Sequence, residues 1–91
     1  MNDTEIKKRL RDYVLQINNE INCNYKLLYV VNLLDFLNKE KDWIEDNNML
    51  KKVIKGKIKE FNEVILKSND KYYRNIVNLF HKKSNIFLKN S

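Results

Sequence analysis

The chain has 91 residues, 43% of them apolar, and a net charge of +6 from 18 Lys and Arg against 12 Asp and Glu. That size holds one domain, residues 1–91 as a single helical unit, and the apolar share suffices for a core. One Gly, one Cys and one His exclude a glycine-rich phosphate loop, a structural zinc site and an internal disulfide. No cofactor and no metal are expected, and most enzyme classes drop out.

The first predicted helix follows a stripe of Ile6, Leu10, Tyr13, Val14, Ile17 and Ile21, recurring at steps of three and four. Asn2 and Glu5 stand at capping-box spacing before it. The stripe fades at Asn22-Cys23-Asn24, which reads as a turn. A second helix is predicted over 25–38. Its main face is Leu27, Val30, Val31, Leu34 and Leu37, and Tyr25, Leu28, Tyr29, Leu33 and Phe36 cover most of the rest. A helix apolar on most sides is central in a bundle or half of an interface, so a homodimer through it stays open. Asn32 and Asp35 interrupt this run, which is too short for a membrane span of about 20 apolar residues. No apolar stretch follows the basic residues near the N-terminus, and Cys23 is unpaired, so a soluble cytoplasmic protein is expected.

The third predicted helix, 43–67, opens with Asp42 and Glu45 at capping-box spacing. A break is expected near Asn47-Asn48. A bend or a close helix approach is expected at Gly56, which costs ~1 kcal/mol against Ala inside a helix. Its stripe is Leu50, Val53, Ile54, Ile58, Phe61, Val64 and Ile65, with Lys57 reaching out along its stem from the apolar arc. Ser68-Asn69-Asp70 supplies a turn and cap for a fourth helix, 70–88, carrying Tyr72, Tyr73, Ile76, Val77, Phe80, Phe87 and Leu88. Four amphipathic helices on short turns predict an all-α antiparallel four-helix bundle. Leu15, Tyr29, Phe36 and Leu66 are left over as exposed apolar positions, which a partner or a second copy would cover.

Charge is divided unequally. Residues 1–50 hold seven basic and nine acidic side chains, a net −2, and residues 51–91 hold eleven and three, a net +8. Lys51, Lys55 and Lys59 fall on one helix edge with Lys52 beside it, and Arg74, Lys82, Lys83 and Lys89 lie in the same half of the chain. Such a face suits nucleic acid or an acidic protein surface. Codon drift enriches lysine too: Lys, Asn and Ile, 15, 15 and 9 in number, all have codons made only of A and T. The abundance of Asn is read as that drift.

Arg74 and His81 lie seven residues apart, on one helix face about 10 Å apart along the axis, with Asn78 between them and Asn85 beyond. An exposed polar stripe has this pattern. With polar Asn75 after the arginine, it also resembles the Arg-x(4–6)-His signature of HEPN ribonucleases, helical proteins that pair such motifs across a dimer to cut RNA. The resemblance implies a phosphate-holding Arg74 and a His81 that supports proton transfer, without a metal.

Three functions fit these features. The first is a non-catalytic binding protein, an inhibitor of the anti-CRISPR or anti-defence type encoded by a phage or mobile element. It would dock on a protein or ribonucleoprotein through Lys51, Lys52, Lys55, Lys59, Arg74, Lys82 and Lys83, with exposed apolar anchors. The second is a bacteriocin immunity protein, whose length, basic charge and helix order this layout is similar to. The third is the HEPN-like ribonuclease using Arg74 and His81. The first is the expected function.

Overall fold

The computed structural model describes residues 1–69 and 71–90. Among these residues there is no strand, and five helices form where four were expected: α1 (Asp3–Asn19), α2 (Cys23–Lys39), α3 (Lys41–Glu45), α4 (Asn48–Lys67) and α5 (Arg74–Lys89). The predicted third helix is broken at Asn47, as its two adjacent asparagines suggested, into α3 and α4. The Asn47 amide turns back and donates to the Trp43 carbonyl at 2.7 Å, so the side chain favours a turn over a continued helix.

Asparagine side chains set several ends. Asn2 Oδ1 accepts the Glu5 backbone N–H at 2.9 Å, capping α1. Asn22 Oδ1 accepts from the N–H groups of Asn24 and Tyr25, capping α2. Helix α2 therefore starts at Cys23, inside the expected turn, and Ile21 lies in the turn at 99% exposure instead of on the α1 stripe. The pair Asp42 and Glu45 caps nothing: α3 begins at Lys41, and its N-cap Glu40 makes no side-chain cap bond.

Helix α2 is central. It packs most extensively against α5, then α1, and also touches α3. It buries Leu27, Val30, Val31, Leu33, Leu34, Phe36 and Leu37, which accounts for apolar residues on nearly all its sides. Phe36, expected as a surplus exposed position, is buried with its ring 5.5 Å from that of Tyr13. Tyr29 is half-buried, and Leu15 and Leu66 are exposed as expected. Helix α1 runs antiparallel to α2: the Tyr13–Phe36 contact lies midway, and Asp3 at the start of α1 accepts the Trp43 indole N–H at 2.7 Å just past the end of α2.

Helices α2 and α5 run parallel. At their N-terminal ends the Asn24 side chain bonds both Lys71 and Tyr73. Further along, Asp35 and Asn38 meet Lys83. In an up-down-up-down bundle these second and fourth long helices would sit diagonally apart; here they form the closest pair. Phe80, at 0% exposed, and Phe87, at 2%, seal that seam, and the area they remove from water is its main stabilisation.

Helix α5 starts at Arg74, later than expected, and the expected cap Asp70 lies outside the described residues. Asn24 Oδ1 accepts the Tyr73 N–H at 2.9 Å, and its Nδ2 donates to the Lys71 carbonyl at 2.8 Å. These bonds satisfy backbone groups of an extended segment, so Tyr73 (ψ 130°) caps the helix and is 66% exposed instead of in the core. Gly56 marks no close approach: a Cβ there would meet nothing within 4 Å, and α4 passes through it unbroken.

Candidate functional site

On the acidic half of the chain, two of the seven cations are ion-paired among the described residues: Lys7 with Asp3 at 3.1 Å and Lys39 with Asp35 at 3.2 Å. Two of the seven candidate cations are also held. Lys51, with its side chain 12% exposed, pairs with Glu45 at 2.9 Å, and Lys83 pairs with Asp35 at 2.8 Å. Hydrogen bonds from Lys83, then Lys39, hold the Asp35 carboxyl below its ordinary range. Asp3 is lowered as well, first by the Trp43 indole and then by Lys7.

The remaining five, Lys52, Lys55, Lys59, Arg74 and Lys82, have no ion pair among the described residues. Lys55 is half-buried and the other four are exposed. On α4, Lys55, Lys59, Asn62 and Leu66 recur at steps of four and three, so they share one edge. Leu66 is 83% exposed, which sets a bare apolar side chain in line with two free ammonium groups. On α5, Arg74, Asn78, His81 and Asn85 form the matching edge.

The two edges border one seam. Phe61 of α4 meets Phe80 of α5 with ring centroids 6.3 Å apart, and Ile65 of α4 lines a shallow concavity of about 560 Å³ with Tyr72, Arg74, Val77, Asn78 and His81. No carboxylate of the described residues lines it. The structure thus gathers Arg74, Asn78 and His81 into one open basin. The His81 ring lies 5.7 Å from that of Phe80, so its orientation is supported from below by the core. Lys82 lies on the outer side of α5.

Sequence reasoning missed the asparagines that position this face. Asn24 holds the segment before Arg74, and Asn38 Nδ2 donates to the Lys83 carbonyl at 3.1 Å. Their spacing on α2 places both on its α5 side, which was the available signal; reading Asn as codon drift hid it. Cys23 is half-buried, its thiol 3.9 Å from the Lys71 carbonyl, in the same joint. Among the described residues no three of His, Cys, Asp and Glu gather as metal ligands, and no helix is long and apolar enough to cross a membrane. No protein-family model, curated protein or solved structure matches the chain.

Proposed function

We propose that this is a non-catalytic docking protein, an inhibitor that occupies an anionic surface of a protein or ribonucleoprotein with its α4–α5 flank. The observation that carries this reading is that Lys52, Lys55, Lys59 and Arg74, on the facing edges of α4 and α5, have no ion pair among the described residues, and that no carboxylate of those residues lines the basin beside them. Ion-paired cations offer little net charge to a partner, whereas unpaired ones steer encounter and are desolvated on contact. Leu66 and Tyr73, exposed beside them, supply the apolar anchors that set residence time. Steering of this kind weakens with salt, because the screening length falls to about 8 Å at physiological ionic strength.

The test is retention of a target from bacterial lysate, with and without nuclease, across a salt series, comparing the native chain with Lys52→Glu/Lys55→Glu/Lys59→Glu. The expected result is a discrete target lost by the triple variant and by rising salt. Equal retention by both chains would remove the α4–α5 flank as the docking face.

A second reading rests on the basin that brings Arg74, Asn78 and His81 together. It is an RNA-cleaving site in which Arg74 holds phosphate and His81 moves a proton. His81→Ala separates the readings: loss of RNA cleavage in a folded variant favours the ribonuclease, and unchanged target retention favours docking.

A further inference from the structure

The opposite side of α4 carries a different feature. Helix α1 packs on α2, whereas α4 is held mainly through α3 and packs closely on neither α1 nor α2, which leaves a cleft of about 430 Å³ among the three. The sequence explains the gap. The α4 edge that faces α1 carries Val53, Lys57 and Glu60, and the α1 wall carries Val14. These are short or charged side chains where a closed bundle would have large apolar ones. The volume falls in the ~300–1,000 Å³ range of small-molecule sites, and the lining is mostly aliphatic, with a few polar groups, as such sites require.

The shape selects the occupant. Val30, Leu34 and Ile58 on the floor and inner wall are 6%, 1% and 3% exposed. A trough wide enough for a helix, about 10–12 Å across with its side chains, would leave these residues open to water. The cleft is a slot for a slim chain. Its polar groups cluster towards the end nearest the α1–α2 turn. There Lys26 and Asn18 face the cleft, and Lys26 has no ion pair among the described residues. On the facing wall Lys57 is held by Glu60 at 3.3 Å, so that pair is neutral overall. One free ammonium beside an amide donor complements a single carboxylate at the head of an apolar tail.

We propose that the α1–α2–α4 cleft binds one free fatty carboxylate, its alkyl chain in the slot and its head group on Lys26 and Asn18. Burial of the chain supplies most of the affinity, since every methylene leaves water for an apolar wall. The ammonium orients the ligand and discriminates acid from alcohol. This site is independent of the cationic α4–α5 flank, which lies on the other edge of α4.

The experiment titrates sodium dodecanoate, below its micelle-forming concentration, into the full chain by calorimetry, with dodecanol and anionic phospholipid vesicles as parallel probes. The expected result is one saturable site for dodecanoate. Lys26→Glu should weaken it at least tenfold while leaving dodecanol binding unchanged, and Val53→Trp, a rim substitution that fills the mouth without touching the floor, should abolish both. Absence of saturable binding would overturn the proposal. So would dodecanoate binding indifferent to both variants, or vesicle binding without free-acid binding, which would make the cleft a membrane contact.

Discussion

Helices α4 and α5 are both amphipathic, and the protein treats them differently. Helix α5 drives Phe80 and Phe87 into the core and is joined to α2 by Asn24, by Asn38 and by the Asp35–Lys83 pair. Helix α4, though longer at 20 residues, buries only Ile54 and Ile58 fully, and among the described residues its ion pairs reach no farther than Glu45 and Glu60. Amphipathic periodicity says that a helix has an inner face; aromatic volume and polar cross-links decide how firmly that face is held. The less firmly held helix borders both the cationic flank and the apolar cleft. Both are surfaces proposed above for binding, and binding elements are commonly drawn from the low-stability end of a fold.

The largest difference between the two helices should appear on truncation. Phe80→Ala is expected to lower unfolding free energy by about 3–5 kcal/mol, since it opens a cavity at a sealed position. Val53→Ala, at 53% exposed, should change it by less than about 0.5 kcal/mol. Urea midpoints at constant slope measure both. Equal losses would break the comparison.

Next in size is the polar joint. Asn24→Ala leaves the Tyr73 N–H and the Lys71 carbonyl to water, since both bonds are exposed, and should cost about 0.5–1.5 kcal/mol. Amide exchange should quicken first in the opening turn of α5. Gly56→Ala should act in the other direction, stabilising by about 0.5–1 kcal/mol, because the added Cβ meets no neighbour and the helix gains propensity. A fall in melting temperature for that variant would mean that α4 needs flexibility at this point.

The smallest effect concerns Asp35. Its carboxyl is held below the ordinary value of 3.8 in the folded chain. Its stabilising contribution is therefore complete above that value and drains away as pH falls through the lower folded one. With the side chain 36% exposed, Asp35→Asn should cost about 0.5 kcal/mol at neutral pH. The native chain and the variant should converge in stability as the pH is taken progressively below 3.8. A difference that persists undiminished in acid would assign the effect to packing.

Most helices were legible because their apolar residues recur at helical spacing, and the Asn47-Asn48 break was legible from adjacent poor helix formers. Pairing was not. A stripe such as Ile76, Val77, Phe80 and Phe87 names a buried face without naming its partner, and so an up-down order was expected where α2 and α5 lie side by side. The start of α5 was hidden for a related reason. Asn24, distant in sequence, satisfies Tyr73 and Lys71 and lets that segment stay extended. On the candidate face, the spacing of Arg74, Asn78 and His81 was visible. That Lys51 and Lys83 are held by Glu45 and Asp35 was not, since Lys83 meets an acid far away in the chain.

Residue-resolved native-state hydrogen exchange tests most directly the claim that α4 is the loosely held element. Amides of α2 and α5 should exchange only through global unfolding, with matching free energies and matching denaturant dependence. Those of α4 should exchange through a smaller opening of distinctly lower free energy. Protection of α4 equal to that of α5 would contradict the claim and make the protein a single cooperative unit.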